Sequence, residues 1–253
     1  MESIQEAGIT LHKLAEKGNF EELIIESKKV AQQYPKWFGV WYYLGIAHGF
    51  KEEHALAEKF LLTCISLKPN FFEALVSLGA SCEAQGRRDD AVLHLEEALI
   101  IEPNSELVLK KLGVKYFLLE NYNKSAECFQ RLTELNPEND ENWYCLGDAY
   151  RQKDLFAEAI KAYFNALNID NENYLVIHNI GVCYWYLEDY ETAATFFKKV
   201  IEFIPDSFRA LRNLGECYLK MSDKEKAKEY FFKALHCVPD DEHVKILLGQ
   251  AIS

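Results

Sequence analysis

The chain has 253 residues, of which 49% are hydrophobic and 27% are charged. This balance is typical of a soluble globular protein and excludes a disordered or collagen-like chain. The 40 acidic residues outnumber the 28 basic ones and give a formal net charge of −12. Because nucleic-acid binding normally requires a basic surface, the charge disfavours DNA, RNA and anionic membranes as partners.

The amino terminus and the cysteines indicate the compartment. Residues 1–6 contain neither a basic segment nor an apolar core of signal-peptide type. The most apolar run, residues 175–187, is too short to span a bilayer. The seven cysteines form no Cys-x-x-Cys pair and lie mostly in apolar runs, which favours free thiols in a reducing compartment. We therefore expect a cytoplasmic protein without membrane insertion.

Proline and glycine recur along the whole chain with a period of 34 residues. Every proline lies on this period: Pro35, Pro69, Pro103, Pro137, Pro205 and Pro239. A second series at the same period consists of Gly45, Gly79, Gly113, Gly147, Gly181, Gly215 and Gly249. Self-similarity with a period of this size indicates a solenoid of stacked repeats.

Seven repeats of 34 residues fill the chain. They cover residues 4–37, 38–71, 72–105, 106–139, 140–173, 174–207 and 208–241. Residues 242–253 begin an eighth first helix, with Leu248 and Gly249 in register. We expect a single array over residues 1–253, which leaves no segment for a separate catalytic domain. The terminal helix at 242–253 either caps this array or marks the point where a longer array was cut.

Each repeat is predicted to form two helices. In the fifth repeat, Trp143, Leu146, Gly147 and Tyr150 recur at spacings of three and four, and the same period resumes after a short break. The proline near the end of most repeats stops the second helix. No sustained apolar–polar alternation indicates a strand, so the predicted fold is all-α, with seven helix pairs and a terminal helix.

The glycine series requires a packing explanation. A glycine inside a helix costs up to ~1 kcal/mol relative to alanine. We interpret the series as the place where the two helices of a repeat approach closely, with an alanine series on the second helix at the same crossing.

The pattern resembles the tetratricopeptide repeat family, in which W-x2-L-G-x2-Y in the first helix is followed by Ala, an aromatic residue, Ala and Pro. The fullest match is Trp143, Leu146, Gly147, Tyr150, Ala159, Tyr163 and Ala166. The first repeat departs most, with Thr10 and Leu11 in place of Leu-Gly. The resemblance implies a right-handed superhelical solenoid whose concave groove binds a peptide or helix of a partner protein.

The resemblance also places the groove on one stripe of the first helices. In this chain the stripe is apolar and aromatic in the middle and rich in arginine in the seventh repeat. The predicted groove residues are Tyr42, Phe50, Lys110, Phe117, Tyr144, Arg151, His178, Asn179, Trp185, Tyr186, Arg209, Arg212 and Asn213. Aromatic and arginine side chains often dominate binding energy, so we predict an apolar or amphipathic ligand segment with an acidic flank. In the alternative interpretation, these side chains only pack on the neighbouring repeat.

The resemblance also implies two known peptide-binding arrangements, each of which requires particular residues on this stripe. A carboxylate clamp requires an amide side chain at the position that Asp148 occupies in repeat five and a cation at the position that Glu216 occupies in repeat seven. No other set of three consecutive repeats fits the clamp. The clamp is therefore excluded. The second arrangement is a series of asparagines that bind the backbone of a peptide. In this chain only Asn179 and Asn213 occupy the positions of that series.

Catalytic chemistry finds little support in the sequence. The histidines are scattered, without metal-binding spacing, and the glycines form no phosphate-binding loop. Cys183 and Cys217, one repeat apart, are interpreted as core residues in preference to a redox or metal pair. We expect no enzymatic activity, no cofactor and no metal. The two hypotheses are an adaptor that binds a partner's peptide or helix, and a structural scaffold subunit that self-associates or assembles into a larger complex through its ends. The second includes a homodimer through the apolar segment 243–248.

Overall fold

A computed structural model describes residues 3–252. Met1, Glu2 and Ser253, which the predicted array includes, lie outside the described residues. Residues 3–252 form fifteen α-helices and no strand, which confirms the all-α prediction. The helices are α1 (Ile4–Glu16), α2 (Phe20–Gln33), α3 (Phe38–Phe50), α4 (His54–Leu67), α5 (Phe72–Ala84), α6 (Arg88–Ile101), α7 (Glu106–Leu118), α8 (Tyr122–Leu135), α9 (Asp140–Gln152), α10 (Phe156–Ile169), α11 (Tyr174–Tyr186), α12 (Tyr190–Phe203), α13 (Phe208–Lys220), α14 (Lys224–Cys237) and α15 (Glu242–Ile252).

The helix bounds repeat with the period of the sequence. Each complete repeat consists of a 13-residue first helix, a three-residue turn, a 14-residue second helix and a four-residue connection. Every first helix begins on the first residue of a predicted repeat, and α15 begins at Glu242 as expected. In the fifth repeat α10 ends at Ile169 although Asn171 replaces the proline. The proline is therefore not required to end the second helix.

The chain divides into two compact units. The amino-terminal unit extends to Lys115 and the carboxy-terminal unit begins at Tyr116, so the boundary falls inside α7. The core of the amino-terminal unit includes Leu11 and Leu23, both fully buried. The core of the carboxy-terminal unit includes Phe197 and Phe231, also fully buried.

The turn inside each repeat has one left-handed residue at its centre. These residues, with φ between 57° and 76°, are Gly18, Glu52, Gly86, Glu120, Asp154, Glu188 and Ser222. The next residue donates its backbone N–H back to the first helix, as Asp189 does to the carbonyl of Tyr184 at 3.0 Å. This arrangement ends the first helix and reverses the chain within three residues. Only two of the seven positions carry glycine, the residue for which this conformation is cheapest.

The glycine series is explained by the side chain that faces it. A methyl group added at Gly45 would lie 2.5 Å from Cγ of Leu61, and one added at Gly147 would lie 2.5 Å from Cε1 of Tyr163. The carbonyl of Ala57 lies 3.4 Å from the position of that added methyl at Gly45. The predicted close approach is therefore present, but the tightest contact comes from the large residue four positions after the alanine, not from the alanine itself.

Candidate binding cavity

An open cavity of about 560 Å³ lies in the carboxy-terminal unit, on the first helices of repeats six and seven. We call it the α11–α13 cavity. Residues of α11 and α13 at spacings of three and four share one helix face, which is why they converge here. The lining residues are His178, Val182, Trp185 and Tyr186 from α11, Phe197 from α12, Arg209, Arg212, Asn213 and Glu216 from α13, and His243 from α15.

Six of the thirteen predicted groove residues line this cavity: His178, Trp185, Tyr186, Arg209, Arg212 and Asn213. Val182 and Glu216 also line the cavity and lie on the same stripe, although the predicted set does not include them. His243 was missed, although it occupies the position of Arg209 one repeat later, and this register was the signal that could have found it. Phe197 follows the core period of its helix, so no sequence signal linked it to a surface cavity.

Most charged groups of the cavity already have partners. Nε of Arg212 lies 3.4 Å from Oε1 of Glu216, and His243 approaches the same oxygen at 3.8 Å. Arg212 also donates from Nη2 to Oδ1 of Asn213 at 3.0 Å. Burial raises the pKa of Glu216, and the nearby Arg212 and His243 oppose that rise. Arg209 is exposed and forms no ion pair within residues 3–252, so it is the cation most available to a ligand.

His178 is a neutral hydrogen-bonding group at neutral pH. Burial lowers its pKa below the ordinary value of 6.5, and the charges of Arg209 and Arg212 add to this effect. Its Nε2 lies 3.2 Å from Nδ2 of Asn213, and its ring packs against Phe197 at 5.4 Å between centroids. The charge of the cavity therefore comes from two positive arginines, Arg209 and Arg212, and one negative residue, Glu216. The cavity is locally positive although the whole chain has a net charge of −12.

Two aromatic rings form the apolar wall. Tyr186 is 55% exposed and stacks on Phe156, with ring centroids 4.8 Å apart. Trp185 is half-buried, lies edge-on to Tyr186 at 5.3 Å and to Tyr190 at 6.1 Å, and packs against the core of the unit. Its indole N–H is buried without a hydrogen-bond partner among the described residues. Tyr186 therefore offers most of the accessible aromatic surface, while Trp185 belongs partly to the core.

Three further predicted residues surround one carboxylate, that of Asp148. Oδ1 of Asp148 accepts hydrogen bonds from Tyr163 at 2.6 Å, from Asn179 at 3.2 Å and from Arg151 at 3.2 Å. Burial and the nearby Asp148 raise the pKa of Tyr144 to about 12. Arg151 and Asn179 are thus tied to a structural network that links repeats five and six.

This network bears on the asparagine series. The amide of Asn179 is bonded to Asp148, and both polar atoms of Asn213 are engaged by His178 and Arg212. A peptide backbone would have to displace these bonds before it could use either asparagine.

The remaining predicted residues are distributed over both units. Phe117, in the carboxy-terminal unit, is half-buried and lies edge-on to Tyr122 at 5.3 Å. In the amino-terminal unit, Phe50 is 69% exposed and stacks on Phe20 at 4.5 Å. Tyr42 packs edge-on against Phe71 and contacts a buried cluster, and Lys110 is exposed.

The amino-terminal unit has its own cavity of about 260 Å³. Phe50 and Ile46 line it beside the small residues Ser77 and Ala80. It is mainly apolar, in contrast to the α11–α13 cavity, and its small residues leave room for an inserted side chain.

Cys183 and Cys217, which lie one repeat apart, are both buried, and burial raises the pKa of each to about 12. Such thiols are poor nucleophiles and poor metal ligands at neutral pH. Residues 3–252 contain no group of three or more His, Cys, Asp and Glu side chains placed to hold a metal. None of the described helices has the length and apolar character needed to cross a membrane.

The helical hairpins, their period and the glycine contacts define a tetratricopeptide solenoid, and comparison with known families agrees. Family models described as tetratricopeptide repeat match residues 38–71, 74–109, 112–172 and 184–251. The chain belongs to the tetratricopeptide repeat family.

Several characterised proteins are similar to this chain over part of their length. A general transcriptional corepressor of Dictyostelium discoideum is 31% identical over 131 residues, which are 50% of this chain and 9% of that protein. The human cell division cycle protein 16 homolog is 25% identical over 208 residues, which are 77% of this chain and 33% of that protein. The chain thus spans a third or less of these two relatives.

A solved structure shares the fold over nearly the whole chain. It is the C-terminal part of a tetratricopeptide repeat-containing protein from Cytophaga hutchinsonii, with a TM-score of 0.76 and 15% sequence identity. The match covers 95% of this chain and 99% of that one.

Proposed function

We propose that this chain is a non-catalytic adaptor that binds a peptide or amphipathic helix of a partner protein on the first helices of its repeats. The observation that carries the proposal is the α11–α13 cavity, where an exposed aromatic ring, Tyr186, and an exposed cation, Arg209, lie on one surface. Membership in a repeat family rich in protein-binding members supports it, as do relatives named for transcriptional corepression and the cell division cycle.

The cavity favours a segment with an apolar residue and an acidic residue. The apolar side chain would pack on Tyr186 and the accessible part of Trp185. The carboxylate would pair with Arg209, because Arg212 is already held by Glu216 at 3.4 Å. A rim cation of this kind mainly raises the association rate, so binding should weaken moderately with added salt.

The two arginines therefore make different contributions. Replacing Arg209 by alanine removes an available charge, whereas replacing Arg212 also leaves Glu216 less compensated in a partly buried site. We expect Arg209→Ala to reduce affinity without loss of stability, and Arg212→Ala to lower both. Glu216→Gln, which releases Arg212, should strengthen binding of an acidic segment.

The experiment begins with affinity capture by the intact chain and identification of the retained protein. That partner is then titrated against the wild type, Tyr186→Ala and Arg209→Ala, with thermal unfolding measured alongside. An exposed aromatic hot spot is worth ~2 kcal/mol, so Tyr186→Ala should lower affinity roughly thirtyfold.

Phe232→Ala is the matched control, because Phe232 is 58% exposed on the second helix α14, outside the cavity lining. If Phe232→Ala and Tyr186→Ala lower affinity equally, or if neither does, the cavity is not the binding site.

A scaffold subunit is the second candidate function, and one surface favours it. Ile246 and Ile252 of α15 are each 61% exposed. Such apolar exposure on the last helix is suited to association through the carboxy-terminal ends, including a homodimer. Sedimentation at high concentration checks this: a concentration-dependent dimer that Ile246→Glu abolishes supports it, and a strict monomer counts against it.

A further inference from the structure

The apolar cavity of the amino-terminal unit, which we call the α3–α5 cavity, occupies the same place in the repeat as the α11–α13 cavity. Four of its lining residues stand four repeats before four that line the α11–α13 cavity: Gly49 before Trp185, Phe50 before Tyr186, Ser77 before Asn213 and Ala80 before Glu216. The two cavities therefore show one site of the repeat with two different sets of side chains.

Gly49 is the difference that opens the α3–α5 cavity. In the sixth repeat the same position carries Trp185, which is half-buried and packs against the core of the carboxy-terminal unit. The other repeats from the third to the seventh also carry a large residue there: Glu83, Phe117, Arg151 and Leu219. The second repeat thus has open space where these repeats have a side chain of their own.

Packing does not require a glycine at position 49. A methyl group added at Gly49 would lie 3.8 Å from Cβ of Ala57, which is ordinary van der Waals contact. One added at Gly45 would lie 2.5 Å from Cγ of Leu61. The φ of Gly49 is also outside the left-handed region that favours glycine. A glycine that weakens the helix without relieving a contact points to a use for the space beside it.

The sixth repeat shows which group fits beside the ring at the cavity wall. There Trp185 lies edge-on to Tyr186, with ring centroids 5.3 Å apart. Phe50 stands at the position of Tyr186, is 69% exposed and stacks on Phe20. The cavity volume of about 260 Å³ admits one large side chain. An aromatic side chain of a partner can therefore lie beside Phe50 as Trp185 lies beside Tyr186.

A reversal of charge separates the two cavities. Glu73 on α5 holds the position that Arg209 holds on α13, and it is exposed. It lies one helical turn before Ser77, which lines the α3–α5 cavity. Burial and the charge of Glu73 raise the pKa of Tyr42 on α3 to about 12, so this carboxylate lies on the side of α5 that faces α3.

Two lysines close to these helices are engaged with other carboxylates. Nζ of Lys51, at the end of α3, lies 3.5 Å from Oε1 of Glu21. Lys115 of α7 is buried and pairs with Glu83 of α5. Within residues 3–252 Glu73 forms no ion pair. A basic group beside the α3–α5 cavity would therefore find a carboxylate, whereas the α11–α13 cavity offers an arginine at the same position.

We propose that the α3–α5 cavity is a second binding site, which takes an aromatic side chain of a partner segment that carries a lysine or arginine about one helical turn away. The aromatic side chain packs on Phe50 and over Gly49, and the cation pairs with Glu73. This site goes beyond the proposed function, because it lies in the other unit and selects the opposite charge. Either cavity can fail as a binding site without the other.

Three short alanine-based helical peptides are the probes. The lysine peptide has tryptophan at its centre and a lysine four residues to either side, so that both directions of binding present a cation to Glu73. The glutamate peptide has glutamate at both lysine positions. The control peptide keeps the lysines and has alanine in place of tryptophan. Each peptide is fluorescently labelled at its amino end and titrated into the full chain by fluorescence polarisation.

The aromatic contact is tested first. The lysine peptide should bind saturably and at least tenfold more tightly than the control peptide. Gly49→Trp fills the cavity from the chain itself and should lower the affinity for the lysine peptide at least tenfold. Gln32→Trp adds the same side chain at an exposed position on α2 and should leave it within twofold. Circular dichroism checks that both variants are folded, and the control peptide decides without either variant.

The charge preference is tested next. The wild type should bind the lysine peptide several-fold more tightly than the glutamate peptide, and Glu73→Arg should reverse this order. Glu102→Arg changes the net charge equally at an exposed residue outside the cavity lining and should keep the wild-type order. The proposal is overturned if Glu73→Arg leaves the order unchanged, or if both variants reverse it, because net charge would then be responsible.

The same assay distinguishes the other occupants. Tyr186→Ala should not change binding of the lysine peptide, so a loss there would assign the peptide to the α11–α13 cavity and overturn the proposal. Absence of saturable binding to the wild type, or equal effects of Gly49→Trp and Gln32→Trp, would also overturn it. A dimer of the wild type that Gly49→Trp abolishes would assign the cavity to a second copy of the chain and not to a partner protein.

Discussion

Adding one methyl group at Gly147 separates helix propensity from packing. Alanine is favoured over glycine in a helix interior by about 1 kcal/mol, so propensity alone predicts stabilisation. The added methyl would lie 2.5 Å from Cε1 and 2.6 Å from Cδ1 of Tyr163. Ordinary contact begins at 3.4 Å, so the ring must retreat by about 0.9 Å, the difference between 3.4 and 2.5 Å.

The ring of Tyr163 cannot retreat easily. It is fully buried, and its hydroxyl donates to Asp148 at 2.6 Å and accepts from Nε of Arg151 at 3.4 Å. Overpacking of a closed core costs about 1–3 kcal/mol, which exceeds the propensity gain. We therefore expect Gly147→Ala to destabilise the chain by up to about 2 kcal/mol, the difference between these two effects.

Gly249→Ala is the matched control. It makes the same change at the same repeat position, where no described atom lies within 4 Å. Only propensity acts there, so this variant should be neutral or more stable by up to about 0.5 kcal/mol near the helix end. Urea and thermal unfolding followed by circular dichroism measure both variants. Equal shifts of the same sign for Gly147→Ala and Gly249→Ala would refute the packing explanation of the glycine series.

Three further predictions test the turns, the cavity and the thiols. Glu188→Gly should stabilise the fold by about 1 kcal/mol, because Glu188 has a left-handed backbone with φ of 62°. Gly86→Ala should destabilise the fold, because Gly86 has φ of 76°. Urea unfolding measures both changes in stability. Because the pKa of His178 is lowered in the folded state, stability should fall as pH drops from 6.5 through that lowered value. His178→Gln should reduce the difference in melting temperature between pH 7.5 and 5.5; an unchanged difference would contradict the burial of a neutral imidazole. Cys183 and Cys217 should resist iodoacetamide at pH 8 in the folded chain and react after unfolding, as mass spectrometry would show, since burial raises the pKa of each to about 12.

The sequence predicts the repeat architecture almost completely, because the relevant physics is local. Residues at spacings of three and four determine the helices, and the period of 34 places their starts at Phe38, Tyr174 and every other repeat boundary. The glycine series correctly locates the close contact within a repeat. Gly249 is the exception, since register alone does not reveal whether a helix packs over it.

The candidate site is less predictable, because its contacts join different repeats through side-chain conformations. The bond between Asn179 and Asp148 spans 31 residues, and that between Asn213 and His178 spans 35. A periodic stripe identifies such residues as neighbours on one surface. It does not determine whether an amide is available to a ligand or is held by another side chain.

The turns show a similar limit. Glycine at positions 18 and 86 marks the left-handed conformation, but Glu52, Glu120 and Glu188 adopt it without that signal. The backbone hydrogen bonds of the turn impose the conformation on whichever residue occurs there.

The predicted groove aromatics also differ from one another in a way that the sequence does not reveal. Phe50 and Tyr186 are largely exposed and stack on Phe20 and Phe156. Trp185, by contrast, packs against the core, so its replacement would lower stability as well as affinity. For this reason Tyr186 is a cleaner probe of binding than Trp185.

Site-specific photo-crosslinking tests the central claim most directly, because it reports which surface the partner occupies without removing a contact. A photoreactive phenylalanine analogue is introduced at Tyr186 in one variant and at Phe232 in another, and each is irradiated with the captured partner. A partner bound in the α11–α13 cavity should crosslink from position 186 and not from position 232. Crosslinking from position 232 alone, or with equal yield from both positions, would contradict binding on the first-helix face.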